Sequence, residues 1–231
     1  MSETIQISRV NRTKDQARET YNQIGKWYDV LAGSSERKFI DAGLQSLAVT
    51  EGENALEVGF GTGHAILALA RSVGSTGQVY GIDISDEMLK ITQERIEKAE
   101  LTERVELRRG DATQLPFEAS SFDAVFMSFT LELFDTPDIP RVLGECCRVL
   151  RVGGRLCVVA MVAEEHPGLM LRLYEWAHER LPRYVDCRPI LVMQEIADAG
   201  FLVIDAVRRS MWELPVEIVL AEKEKCAESS V

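Results

Sequence analysis

Three glycines at alternate positions, Gly59, Gly61 and Gly63, follow the apolar run Ala55-Leu56-Glu57-Val58 and precede a helical stretch from about residue 64. Glycines so spaced let the chain turn tightly and bring bare backbone against a ligand. A dinucleotide fold prefers G-x-G-x-x-G. Here the spacing is G-x-G-x-G, and His64 stands where that third glycine would fall, so the pattern points away from a nicotinamide dinucleotide. Two carboxylates sit at strand ends behind it. Asp83 closes the run 78–83, where a carboxylate can accept both hydroxyls of a ribose. Asp111, in Gly110-Asp111-Ala112, follows a third strand and could accept a hydrogen bond from an adenine amino group. Glu132 lies just past a fourth strand. Raised in pKa by burial it could act as a base; the plainer reading is a helix-start or surface carboxylate.

Such residues need elements to hold them. From residue 54 short apolar runs alternate with helical segments. Strands are predicted over 55–58, 78–83, 104–107, 122–129 and 155–162. Between them come a helix over about 64–73, one capped by Ser85 and running to about 100, and one started by Thr136-Pro137 and ended by Gly153-Gly154. Two helical segments, about 168–181 and 189–199, precede a strand over 201–208, and Val216–Ala221 follows after a short turn. Alternation of strand and helix implies a parallel sheet covered on both faces. So short a final link suits an antiparallel hairpin instead. Ahead of the sheet, 13–31 and 36–48 read as helices, the first with Tyr21, Ile24, Trp27, Tyr28 and Leu31 at helical spacing. The division expected is a helical cap over 1–50 and a main domain over 51–231 with a helical insert at about 165–200.

Composition narrows the partners. The chain of 231 residues carries 26 Lys and Arg against 37 Asp and Glu, a net charge of -11. So acidic a chain is a poor general binder of nucleic acid and of anionic membrane surface. The five cysteines form no C-x-x-C and none stands at metal spacing from a histidine, so no metal site is expected and the thiols read as reduced, in a cytosol. The start, MSETIQISRVNRTKDQ, has no apolar core, and no segment approaches the ~20 apolar residues of a membrane span. The expectation is a soluble, cytoplasmic protein acting on a small molecule.

Four blocks in order make the resemblance specific: Leu56–Gly63; Gly81-Ile82-Asp83; Gly110-Asp111-Ala112 with Leu115-Pro116-Phe117 and Ser121–Val125; and Arg148–Gly154. Over about residues 54–160 the chain resembles a class I S-adenosylmethionine-dependent methyltransferase, and within that family the group of quinone C-methyltransferases and small-molecule methyltransferases. The resemblance implies an α/β, Rossmann-like sheet of seven strands, mostly parallel, with an antiparallel last strand and helices on both faces. It implies S-adenosylmethionine as cofactor and S-adenosylhomocysteine as product. It also implies roles. Glu57 and the backbone of Gly59, Gly61 and Gly63 would hold the methionine part, Asp83 the ribose, and Asp111 with the amide of Ala112 the adenine edge. Ile84 and Met88 would flank the adenine, Ser128 and Phe129 would border the sulfonium, and Tyr21 and Tyr28 match a helix that closes over the cofactor.

Two departures bear on the acceptor. After Tyr28-Asp29 the chain lacks the Asn, Ser and His-x-x-Trp of quinone methyltransferases, and it has Ala160-Met161-Val162 where they carry Glu-x-Ser. An apolar or amphipathic acceptor is expected: a quinol ring, a lipid amine or a thiol. The competing class is a scaffold of the same fold that binds the cofactor without turnover. The stripe Leu169, Leu173, Trp176 and Ala177 reads as core or as an oligomer contact, and a homodimer is left open. Arg188 could pair with an anionic substrate group or equally with Asp186.

Overall fold

The computed structural model describes residues 7, 9–10, 13–28, 34–164, 167–180 and 187–224, with the backbone alone at 24–28, 34 and 179. The side chain of Tyr28, and Leu31, His166, Asp186 and Cys226, lie outside the described residues. Two helices come first, α1 (Lys14–Tyr28) and α2 (Ser34–Leu47). Then follow β1 (Asn54–Val58), α3 (His64–Ser72), β2 (Gln78–Asp83), α4 (Asp86–Lys98), β3 (Val105–Arg109), β4 (Phe122–Ser128), α5 (Ile139–Val149) and β5 (Leu150–Met161). The chain closes with α6 (Leu169–Arg180), α7 (Val192–Asp198), β6 (Phe201–Met211) and β7 (Leu214–Lys223).

The seven strands form one sheet in the order β3-β2-β1-β4-β5-β7-β6. Strands β1 to β5 pair in parallel, and β7 is antiparallel to both its neighbours. The expected hairpin is there, and β7 is the reversed strand. Its turn is the pair Trp212-Glu213, both at positive φ (51° and 65°), the conformation that matches the twist of two-residue hairpins. The strand order reverses direction at β1 and β4, so the carboxyl ends of those strands open a crevice.

Strands inside a doubly covered sheet are apolar on both faces, and β4 shows it. Ala124 and Phe126 pack with Phe39, Ile66, Leu69 and Val159 on one side. Val125 and Met127 pack with Ile139, Leu143, Val158 and Ile196 on the other. Ser85 caps α4 as expected, its Oγ accepting the Met88 N–H at 3.2 Å.

Three elements differ from the sequence reading. Helix α5 starts at Ile139 rather than Thr136, with Asp138 at its N-cap and Pro140 in its first turn. Residues 136–138 are a separate turn, because the Asp135 carboxylate takes the Thr136 N–H (3.0 Å) and the Asp135 carbonyl takes the Asp138 N–H (2.8 Å). Gly153-Gly154 does not end α5. The helix stops at Val149, β5 begins at once, and the glycines lie in a bulge that sets Leu150–Arg155 against Phe122–Ala124. In α6 the stripe Leu169, Leu173 and Trp176 faces out (83%, 54% and 52% exposed), while Leu171 and His178 are buried. Both stripes have helical spacing, and only the position of the neighbouring β7 selects between them. Among the described residues no helix is long and apolar enough to cross a membrane, and no group of three His, Cys, Asp or Glu could hold a metal ion.

Candidate functional site

The site forms where β1 runs out into the glycine turn. The Gly59 N–H still donates to the Ile82 carbonyl at 2.8 Å, so the turn leaves the sheet stitched to β2. At Gly59 φ is +76°, and a Cβ there would lie 2.4 Å from Thr130. Gly59→Ala is therefore expected to destabilise the fold by about 2–4 kcal/mol, from overpacking and left-handed strain together. A urea titration reads it, and an unchanged midpoint would contradict the packing described. Gly61 is the opposite case. Its φ is +49°, yet a Cβ there would meet nothing within 4 Å, so its backbone faces open space. Gly63, at the N-cap of α3, lies beneath the turn against Thr92.

Side chains brace the turn from behind. Asp83 accepts the Gly61 N–H through Oδ2 and the Ser85 N–H through Oδ1, both at 2.9 Å. Thr92 donates to the Gly61 carbonyl (2.8 Å) and Arg95 to the Thr62 carbonyl (2.8 Å). Burial raises the Asp83 pKa, opposed by the backbone N–H groups it accepts. Glu57 is buried, and its Oε2 has no hydrogen-bond partner among the described residues. Burial first, and then the Asp83 carboxylate, push the Glu57 pKa well above its ordinary value.

Two clefts open on either side of Gly59. The first, about 560 Å³, is lined by the strand ends (Val58, Ile82, Asp83, Ile84), by Gly110, Asp111 and Ala112, and by Thr130, Leu133 and Phe134 after β4. Helix α1 covers it with Lys14, Ala17 and Tyr21. The second, about 500 Å³, is lined by Glu57, Gly61, His64 and Ser128, and by Glu36, Arg37 and Ile40 of α2. His64 Nε2 lies 2.8 Å from Asp41 Oδ1 at its rim.

Polar contacts hold α1 in place over the first cleft. Asn22 Oδ1 accepts the Ser85 hydroxyl (2.7 Å) and the Glu87 N–H (3.2 Å). Lys14 Nζ donates to Asp111 Oδ2 (2.6 Å) and Thr113 Oγ1 (3.1 Å). Burial acts to raise the Asp111 pKa, but Lys14 and Thr113 outweigh it and the net shift is downward. Just ahead of α1, the Arg9 guanidinium grips Asp135 at 2.6 and 2.7 Å and holds that carboxyl at about 2.

The structure thus gathers Tyr21, Gly59, Asp83, Ile84, Gly110, Asp111 and Ala112 around the first cleft, and Glu57, Gly61 and Ser128 around the second. Four expected residues line neither, Gly63 beneath the turn being the first of them. Met88 is buried behind the Ser85 cap. Phe129 is buried edge-on against the Phe39 ring, centroids 6.4 Å apart. Glu132 is fully buried, and its Oε1 accepts the Met161 N–H at 3.2 Å, which ties the turn 131–133 to the end of β5. Arg188 is also fully buried, donating to the Phe134 carbonyl at 2.7 Å. Burial raises the Cys146 and Cys157 thiols to about 12, which leaves them inert.

Several site residues escaped the sequence reading. Lys14 and Ala17 share the helical face of Tyr21, and that spacing could have found them. Thr92, Arg95 and Thr130 reach the turn from distant elements and carry no local signal.

Known proteins agree with this architecture. A family model described as a methyltransferase domain matches residues 55–154. A demethylmenaquinone methyltransferase of Staphylococcus aureus (strain MRSA252) is 38% identical over 145 residues, which are 61% of this chain and 58% of that protein. The match thus spans less than two thirds of that relative's length. Among solved structures, the [4+2]-cyclase SpnF superposes with a TM-score of 0.76 at 21% identity, over 95% of this chain and 99% of that one. A SAM dependent methyltransferase from Aquifex aeolicus superposes with a TM-score of 0.60 at 21% identity, over 92% of this chain and 100% of that one. The matched methyltransferase domain runs from β1 through α5 and takes in the glycine turn and the carboxylates behind it, and the solved structures share the fold of the sheet.

Proposed function

We propose that this protein transfers a methyl group from S-adenosylmethionine to a small apolar or amphipathic acceptor, a quinol ring first among the candidates. The observation that carries the reading is the open backbone of Gly61, beside the orphaned Oε2 of buried Glu57. A buried carboxylate oxygen without a partner is costly unless a cation or donor meets it, and the ammonium of the methionine part is such a group. The residues present therefore fit the cofactor. When bound, its sulfonium supplies a methyl group already activated for attack by a nucleophile.

The chain's own residues bind, orient and exclude water. In this reading the backbone of Gly59 and Gly61 and the Glu57 carboxylate hold the methionine part, and Gly63 shapes the turn beneath them. Asp83 accepts the ribose hydroxyls while bracing the turn. Ile84, with Met88 beneath it, supports one side of the adenine, and the Ala112 amide and Asp111 read its edge. Asp111 already holds Lys14, so entry of the adenine into the first cleft requires Lys14 to shift toward Asp138, 3.7 Å away. Tyr21 on α1 covers the cleft, and Tyr28 belongs to the same helix. Ser128 borders the reacting centre, with Phe129 packed behind it. Glu132 positions Leu131–Leu133 through the Met161 N–H; an acceptor that is already nucleophilic needs no base from it.

The name of the Staphylococcus aureus relative favours an apolar acceptor. Fold alone does not decide the reaction, since one solved structure of this shape is named a cyclase. The test incubates the purified protein with methyl-labelled S-adenosylmethionine and cell extract, partitions the label between organic solvent and water, and identifies the product by mass. Protein-dependent label in the organic phase is expected. Label confined to water-soluble products would overturn the acceptor class, and cofactor binding with no transfer to any fraction would favour the scaffold.

A further inference from the structure

We infer that β6 is a dimerisation strand, which pairs antiparallel with β6 of a second copy about a twofold axis at Val207. Strand β6 ends the sheet, and among the described residues it is paired only along β7. An open edge offers a row of unpaired N–H and C=O groups, and monomers blunt such edges with Pro, charged side chains, bulges or a cover. Strand β6 has charges and one bulge, but its charges are of both signs and, among the described residues, its length is uncovered. Over its eleven residues β6 has neither Pro nor Lys, and it exposes Leu202 (46%), Ile204 (52%) and Val207 (39%).

Charge chooses the partner. Asp205, Val207 and Arg209 pair with Leu220, Ile218 and Val216 of β7, so all three stand on one face of the sheet. Asp205 and Arg209 are exposed, and neither makes an ion pair within the described residues. Arg208, between them, is already matched by Glu164 and Glu217 at 3.5 Å. In an antiparallel pairing centred on Val207, residue 205 of each copy faces residue 209 of the other. Two Asp–Arg pairs then flank a Val–Val contact, and the strand is complementary to itself. Opposite charges directly across a ladder stabilise it, and like charges there destabilise it. The same pairing carries Leu202 toward the Met211–Trp212 end of the partner strand, where Trp212 is 66% exposed. The bulge between Val203 and Asp205 confines the regular ladder to the residues around the axis. The contact is isologous and closes on itself, so it makes a dimer and no fibre.

Sedimentation equilibrium of the full chain at increasing concentration tests the seam. The mass should rise toward twice 25.9 kDa at tens of micromolar, in keeping with the small area of such a ladder, about 1 μM to 100 μM in dissociation constant. Arg209→Asp sets like charges opposite twice and should weaken the dimer about tenfold or more, as should Asp205→Arg. The double variant D205R/R209D restores the pairing in reverse and should recover the dimer. Under oxidation Val207→Cys should link to itself, because the residue on the axis faces its own copy within disulfide reach. A monomer at every concentration overturns the inference, and so does a dimer that ignores both single charge reversals.

Discussion

Gly61→Asn should leave the fold standing and remove cofactor binding. The backbone at 61 sits in the left-handed region at φ +49°, where asparagine is the best tolerated residue after glycine, and a Cβ there meets nothing within 4 Å. The change should cost the ligand-free protein under about 1 kcal/mol. Its side chain, however, enters the open space that Gly61 leaves in the wall of the second cleft. Affinity for S-adenosylhomocysteine should fall about 100-fold or more, ~2.7 kcal/mol. Calorimetric titration measures the binding and thermal unfolding checks the fold. An unimpaired affinity would mean that the open face at 61 is not where the cofactor lies. Gly59→Ala makes the contrast two residues away. There the Cβ strikes Thr130, and stability falls before binding is asked about.

Glu57→Gln should move stability and binding in opposite directions. Its carboxylate is buried, lies close to Asp83 and titrates well above its ordinary value of 4.5. A carboxylate with a raised folded pKa carries its full stability contribution below the ordinary value, and loses it as pH rises toward the raised one. Ionised Glu57 is therefore a burden on the ligand-free fold above pH 4.5. Glutamine keeps an oxygen for the Ile66 N–H and carries no charge, so the midpoint of the ligand-free protein should rise by about 2–5 °C near neutral pH. The decline of stability with rising pH should flatten too. Binding should weaken about 10- to 100-fold, because a charge-assisted bond to the ammonium becomes a neutral one. Such opposition of stability and function is common where a site holds an unsatisfied charge. A variant that lost stability and kept its affinity would make Glu57 a structural carboxylate and nothing more.

The glycine turn and its carboxylates were legible because their chemistry is local. A G-x-G-x-G after a strand, with an acid at the end of the next strand, lies within thirty residues. Ser85 as a cap, and Gln78–Asp83 as a strand, follow from equally local rules. Position Glu132 was legible only as a type of residue. Whether that carboxylate faces a cleft or the Met161 N–H depends on where β5 ends, thirty residues later. The same holds for α6. Its two apolar stripes are equivalent in periodicity, and the burial of Leu171 over Leu173 is decided by the distant β7.

By itself, then, the sequence determined most strands and helices, the reversal of the last strand and the position of the glycine turn with the carboxylates behind it. These depend on spacing, turn chemistry and capping, which act over a few residues. The tertiary structure decided which side chains brace that turn, with Thr92, Arg95 and Thr130 reaching it across 31, 33 and 71 positions. It also decided that Lys14 occupies Asp111, and that β6 stands at the open edge with Asp205 and Arg209 unmatched. Contacts of that span leave no periodic trace in the chain. They exist only once the sheet order has brought its segments together.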